Sequence, residues 1–450
     1  MEILRKVTAQ GIFITALFFI LFGRSFSGLI IFNQRLLGEL IVGLLIITSG
    51  IIFISPSRIT SKINLPSRAI FVYKILIFAF LLNFIAYSSS FSNLYVFRTS
   101  SYIWYISFLF ICIYIFEDYH ITQKQLITNS FALFILYILS TTYFPDFLRS
   151  FFVSNADKFD FVKGSDLLLS FVFVNFLNKK YSKNKRTAFY YLIVISGIFL
   201  PLMIYMSKGA FLPAVFYISV EIFISRKIIF NNKLFTIFIF SFSVLFFTLS
   251  TFQVWGGLSF TRDNINNAIE SDDNFPAAFQ EAFVEQLERN VENKRTIDAF
   301  FSFYTFENRL YSTDLQLNWR LQIWQDVYFD LIEEQKLIQG YGNNTIIPAM
   351  DDDKRTGMDN LNENVHNFMI NILARGGLIQ LSIFIVFFYL IIKWYILKSN
   401  SLDILHFVAP VALTSFFDAS FESVRFPFIF YLGLAIILSH KKDNKYINIR

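Results

Sequence analysis

The sequence predicts an all-α integral membrane protein with about twelve transmembrane helices and one large, polar, helical loop. Three observations carry that reading. Hydrophobic residues make up 55% of the 450 residues, and they fall into long runs that give a mean hydropathy of +0.52, more apolar than a soluble chain. Aromatic residues reach 19%, with 60 Phe and 22 Tyr, which suits a lipid-facing surface with interfacial belts. The remaining polarity concentrates in short connections and in one stretch, residues 255–365. Net charge is +6, but the basic residues are not clustered on a folded polar domain, which excludes nucleic acid as a partner. The single cysteine, Cys112, sits in an apolar run and excludes an intrachain disulfide or a Cys-based metal site.

A span needs roughly 20 apolar residues. The first half of the chain offers Thr8–Gly23, Leu36–Ile54, Ala69–Tyr87, Ser101–Phe116, Gln125–Phe144 and Gly164–Leu177. The second half offers Ala188–Met206, Gly209–Ser225, Leu234–Val254, His366–Leu397, Asp403–Phe421 and Arg425–His440. The first segment follows Arg5 and Lys6 as a signal peptide would, but no small-residue cleavage site follows it, so it is expected to be a retained helix. The break at Ser207-Lys208-Gly209 is too short for an ordinary loop and implies a tight hairpin or one broken helix.

Lys and Arg near the helix ends set the orientation. Arg58 and Lys62, the run Lys179 to Arg186, Arg226 with Lys227, and Lys441 with Lys442 all fall on one side if both termini are cytoplasmic. Residues 1–254 then hold nine spans, 255–365 an external lid, and 366–450 three spans and a cytoplasmic tail. The lid has more acids than bases, and its pieces carry apolar residues at helical spacing. One piece is Phe275–Arg289; another is Leu315–Leu337, which Gly340-Tyr341-Gly342 is expected to end.

Chemistry-bearing residues gather on the lid side. His366, one of four histidines, stands where the lid meets a long apolar segment. An imidazole at a membrane–water boundary can move protons near neutral pH, although a lone interfacial histidine can also serve as a structural hydrogen-bonder. Charges at or inside helix ends are costly there and are functional candidates. Arg98, Arg375 and Arg425 are of this kind, together with Arg24, Arg149, Lys163 and Glu422. Asp326 offers Arg320 a simple ion-pair partner. Asp351-Asp352-Asp353 suits a hard cation in charge, but such a run in a loop is ordinarily just solvated, and no metal is expected.

Four blocks follow one another on that side: Tyr205-Met206-Ser207-Lys208-Gly209-Ala210, then Trp319-Arg320-Leu321-Gln322-Ile323-Trp324, then Gly340-Tyr341-Gly342-Asn343, then His366-Asn367 with Gly376-Gly377. Their order resembles the O-antigen polymerase and ligase superfamily of bacterial inner membranes. That family shows S-R-G at a helix junction, R-x-x-x-W, a G-x-G, and H-N-x-x-L-x-x-x-x-G-x-x-G around a large periplasmic loop. The likeness covers about the last 250 residues. The chain departs from it in having Lys208 in place of the arginine, which keeps a point charge but loses the bidentate fork, and in a tighter glycine spacing after His366.

The resemblance implies a glycosyltransferase of GT-C-like architecture in the inner membrane, its active site facing the periplasm. Its donor would be an undecaprenyl-diphosphate-linked oligosaccharide, used without cofactor or metal. His366 would be the general base. Arg320, also catalytic, and Lys208 would hold the diphosphate leaving group. Asn367 would orient the sugar or the imidazole, Trp324 would stack on sugar, and Arg98, Arg425 and Arg375 would add contacts to anionic oxygen. The implied partners are the lipid-linked oligosaccharides, membrane lipids and a chain-length regulator protein. Polymerase is the favoured member and O-antigen ligase, transferring glycan to the lipid A core, the alternative. A transporter or flippase for lipid-linked sugar is the rival of another class, but the chain lacks the related halves such proteins often show and spends over a hundred residues on one loop.

Overall fold

The computed structural model describes residues 2–32, 35–54, 65–91, 93–117, 119–159, 162–257, 302–306, 308–351 and 364–439. The helix expected at Phe275–Arg289, the carboxylates Asp352 and Asp353, and the cations Arg58, Lys62, Lys441 and Lys442 lie outside the described residues. The helices in chain order are α1 (Glu2–Ser27), α2 (Leu37–Ile54), α3 (Ser67–Ala86), α4 (Leu94–Thr99), α5 (Ser101–Phe116), α6 (Gln123–Thr141), α7 (Asp146–Asn155) and α8 (Gly164–Tyr181). They continue with α9 (Lys185–Met206), α10 (Lys208–Ile224), α11 (Arg226–Asn231), α12 (Lys233–Trp255), α13 (Leu315–Glu333), α14 (Phe368–Ser399), α15 (Asp403–Ser415) and α16 (Arg425–Ser439).

This is a multi-pass membrane protein. Among the described residues, α1, α2, α3, α9, α12 and α14 are the six helices long and apolar enough to cross a membrane. The pair α6 and α7, bent by 85°, would make a seventh if it is one span. Pro145 stands immediately before α7 and blocks continuation of the preceding helix. The apolar helices α5, α15 and α16 are shorter. Burial explains how a shorter helix fits: α16 is buried at every position from Arg425 to Ser439; the 18-residue α8 is likewise buried at every position from Gly164 to Asn178. A helix apolar all round belongs either inside or against lipid. Here α5, α8 and α16 form the inside, while α2, α3 and α12 expose Leu44, Ile47, Phe71, Phe78 and Phe238.

The Ser207 break is a hairpin. Ile222, near the end of α10, packs beside Phe189 and Ile193, near the start of α9, so the two helices run antiparallel about a single residue. In the polar stretch the structure adds a β-hairpin the sequence did not announce, β1 (Phe303–Phe306) with β2 (Arg309–Ser312), turned on Asn308 at φ +62°. Helix α13 stops at Glu333, ahead of the glycines expected to end it. Gln335 takes the left-handed conformation at φ +57°, and Lys336 N and Gln335 N close back on Leu331 O and Ile332 O at 2.8 and 3.1 Å, the hydrogen-bond pair of a Schellman end.

The glycines instead build a clasp. The expected long helix is interrupted at Gly377 (φ +64°, ψ −169°), and the chain after α13 lies in the gap. Leu378 N donates to Leu337 O at 2.9 Å, Tyr341 N to Ala374 O at 2.7 Å, and Gly342 N to Arg375 O at 2.9 Å. A Cβ on Gly377 would fall 2.1 Å from Ile338 O, and one on Gly340 would fall 2.5 Å from Arg375 O. The third block and the glycines of the fourth are therefore two halves of one backbone contact. Gly377→Ala adds a left-handed alanine to an overpacked contact, and is expected to cost about 2–5 kcal/mol. The check is thermal unfolding in detergent at a fixed scan rate; an unchanged midpoint would show that the clasp gives way freely.

Candidate active site

Four segments meet at the end of the bundle that carries α13. The first is the N-terminus of α10, where Ser207 Oγ accepts from Gly209 N at 3.2 Å. The second is the start of α8. A Cβ on Gly164 would lie 2.7 Å from Ser207 Cβ, and one on Gly209 would lie 2.6 Å from Phe417 Cβ, so glycine at both positions lets these backbones touch. The third is the turn after α15, carrying Asp418, which accepts a hydrogen bond from Ser165 Oγ. The fourth is α13 with the loop that leads into α14.

Asp314 joins the first segment to the fourth. Its side chain caps α13 by accepting from Leu317 N at 3.0 Å and also pairs with Lys208 Nζ. The carboxylate is buried, whereas the lysine side chain keeps 41% of its surface. From α13, Trp324 Nε1 donates to Val365 O at 2.7 Å, and the Trp319 ring lies 5.1 Å from the His366 ring. Two tryptophans on one helix thus fix the residue before the histidine and the histidine itself. His366 sits at φ +50°, a strained conformation for a residue with a Cβ. Asn367 caps α14 behind it, accepting from Met369 N and Ile370 N at 3.0 and 3.1 Å, and Phe368 stacks on Phe421 at 4.6 Å.

Charge is distributed unevenly around the imidazole. Desolvation and the Arg320 cation hold His366 down to about 4; Asp418 opposes them and Lys163 adds to the depression. Burial pushes the Asp418 carboxyl up, but Lys163, the Ser165 hydrogen bond, His366 and Arg320 outweigh it, leaving it below the usual carboxylate range. Burial lowers the Arg320 guanidinium, while Asp418 and Asp314 pull it back up; arginine stays a cation throughout. Arg320 Nε and Trp319 Nε1 are buried without a hydrogen-bond partner among the described residues, which leaves two unsatisfied donors on this turn of α13.

Of the residues expected from sequence, the fold brings His366, Arg320 and Lys208 together. Asn367 and Trp324 hold the histidine's backbone. Arg375, 1% exposed, donates to Thr345 O, Gly342 O and Tyr95 Oη and so locks the clasp. Arg425 is paired with Asp166 beside the cluster, and Arg98 is exposed on the last turn of α4. Asp326 pairs with Arg309. Sequence reading passed over Asp314 and Asp418. Asp418 fell inside an expected span, where a carboxylate is costly, and that cost was the signal; α15 ends at Ser415 and frees it into a turn.

A family model described as O-antigen ligase (Wzy_C) matches residues 167–385, a range that takes in Lys208, Arg320 and His366. No curated protein matches the chain.

Proposed function

We propose that this chain, which belongs to the O-antigen polymerase and ligase superfamily, transfers a glycan from a polyprenyl-diphosphate donor to a sugar hydroxyl on the periplasmic side of the bacterial inner membrane. The observation that carries the reading is the cluster itself: an imidazole among Asp418, Arg320 and Lys163, with Lys208 paired to Asp314 at the start of the helix that carries Arg320. The acceptor hydroxyl needs a base as its bond to the anomeric carbon forms, and the leaving diphosphate needs fixed cations. In the proposed step His366 takes the hydroxyl proton, the oxygen bonds to C1, and the C1–O bond to phosphate breaks with its electron pair on the diphosphate. Arg320, Lys163 and Lys208 receive that charge. Lys208 exchanges Asp314 for phosphate oxygen as the donor enters. Lys163 supplies a second point charge where this chain lacks the family's arginine fork. Attack by one activated oxygen inverts the anomeric centre.

A base held near 4 is weak at neutral pH. Desolvation is the first cause of that depression, and the cations that add to it are the ones the diphosphate would neutralise, so an occupied site relieves their share and moves His366 upward.

The favoured acceptor is a second lipid-linked repeat unit, which makes the chain a polymerase; the description of the matching family favours transfer of finished glycan to the lipid A core. A strain lacking this gene, complemented with the wild-type chain, separates the two on a surface-glycan gel. Restoration of a ladder from core-plus-one-repeat identifies a polymerase. Restoration of attachment, with long polymer held on polyprenyl lipid in the uncomplemented strain, identifies a ligase. An unchanged glycan pattern in both strains removes glycosyl transfer as the function.

A further inference from the structure

The helices that present Ser165, Lys208 and Asp418 are joined a second time at their opposite ends. Lys179 closes α8, Glu221 lies in the last turn of α10, and His406 lies in the first turn of α15. Lys179 Nζ donates to Glu221 Oε1 at 2.7 Å, and His406 Nδ1 lies 2.9 Å from the same oxygen. The Glu221 and His406 side chains are 3% and 5% exposed, and the Tyr217 ring stacks on the imidazole at 4.6 Å with 21° between planes. At 1.5 Å per residue the cluster stands about 20 Å along α8 and α10 from Ser165 and Lys208, too far to touch a substrate there. Pro213 lies inside α10 and Pro410 inside α15, each between the far cluster and the active-site end. A proline removes a backbone hydrogen bond and lets a helix bend, so the course each helix takes toward the site depends on how its far end is tied to its neighbours.

We propose that Lys179, Glu221 and His406 are positioning residues, which set from the far end the contacts between the α8 start, the α10 start and the Asp418 turn. Polar and ionic groups buried within a helical bundle are costly, and fixing one arrangement of its helices is an attested use of them. These three tie together the same helices whose other ends form the site. The expected effect on catalysis rests on the transferase reading; the effect on geometry does not.

The test uses the full chain in liposomes, with a cysteine pair at Ser165→Cys and Asp418→Cys reporting geometry through copper-phenanthroline oxidation. The buried Cys112 stays in place. Glu221→Leu is expected to slow cross-linking at least fivefold and, without the cysteine pair, to lower kcat of the folded protein 10- to 100-fold, with KM for the lipid-linked donor within twofold. The triple change Lys179→Met, Glu221→Leu, His406→Phe removes the stranded polar partners and restores apolar packing; it is expected to return both readouts to within threefold of the parent. Unchanged cross-linking in folded Glu221→Leu overturns the proposal. So does a triple variant that recovers neither readout, and if Glu221→Leu fails to fold, Glu221→Gln, which keeps the shape and loses the charge, is measured in its place with the same expected slowing, unchanged cross-linking again overturning the proposal. A wild-type chain with no transfer activity overturns the transferase reading, while the cross-linking still decides the positioning role.

Discussion

Replacing His366 with asparagine is expected to lower kcat/KM for glycan transfer by about 10²–10⁴-fold, the usual worth of a general base. Asparagine is the informative replacement because it tolerates the left-handed backbone found at φ +50° better than other non-glycine residues. Folding is therefore preserved while the titrating ring is lost, and retention within threefold of wild type would remove His366 from the chemistry. The pH profile supplies a second, independent reading. Neutral imidazole is the active form, so activity falls as pH drops through the histidine's pKa. For kcat/KM, which reports the free enzyme, the acid limb is expected near the depressed value of about 4. For kcat the limb lies higher, because bound diphosphate offsets the cations that oppose protonation. A kcat limb at or below the kcat/KM limb would contradict placement of the diphosphate beside Arg320 and Lys163.

Replacing Arg320 with methionine is expected to lower kcat by about 10²–10³-fold, as when one donor to developing negative charge is removed. The apolar stem is kept, so packing along α13 changes little. Arg320→Lys restores the charge without the fork, and should recover part of the loss. The same methionine variant makes a prediction a structural role for Arg320 does not. Arg320 is the first of the charges that depress His366, after desolvation, so its removal moves the acid limb of kcat/KM upward. Normal turnover in Arg320→Met would exclude Arg320 from transition-state stabilisation. An unshifted limb would show that its charge does not reach the imidazole.

The site's chemistry was more legible in the chain than its architecture. Histidine and arginine announce themselves because an imidazole at an interface and a guanidinium in a polar helix are chemically distinctive wherever they fall. The glycines were visible too, but not their purpose. Gly340, Gly342 and Gly377 read as motif and helix-end signals, yet the close approach that demands them is between segments more than thirty residues apart. Asp314 looked like one acid among many in a polar stretch; only the fold gives it both a helix cap and the ammonium of Lys208.

By itself the sequence determined the membrane class, the helical content, and the residues able to move a proton or hold an anion, because these depend on hydropathy, period and side-chain chemistry, all local properties. Only the tertiary structure decided which helices lie inside, that the long helix breaks to receive the Gly340 loop, and that Asp418 stands beside His366 rather than in a span. These depend on contacts between segments distant in sequence, where burial and unpaired polar groups are settled between partners that no local pattern names.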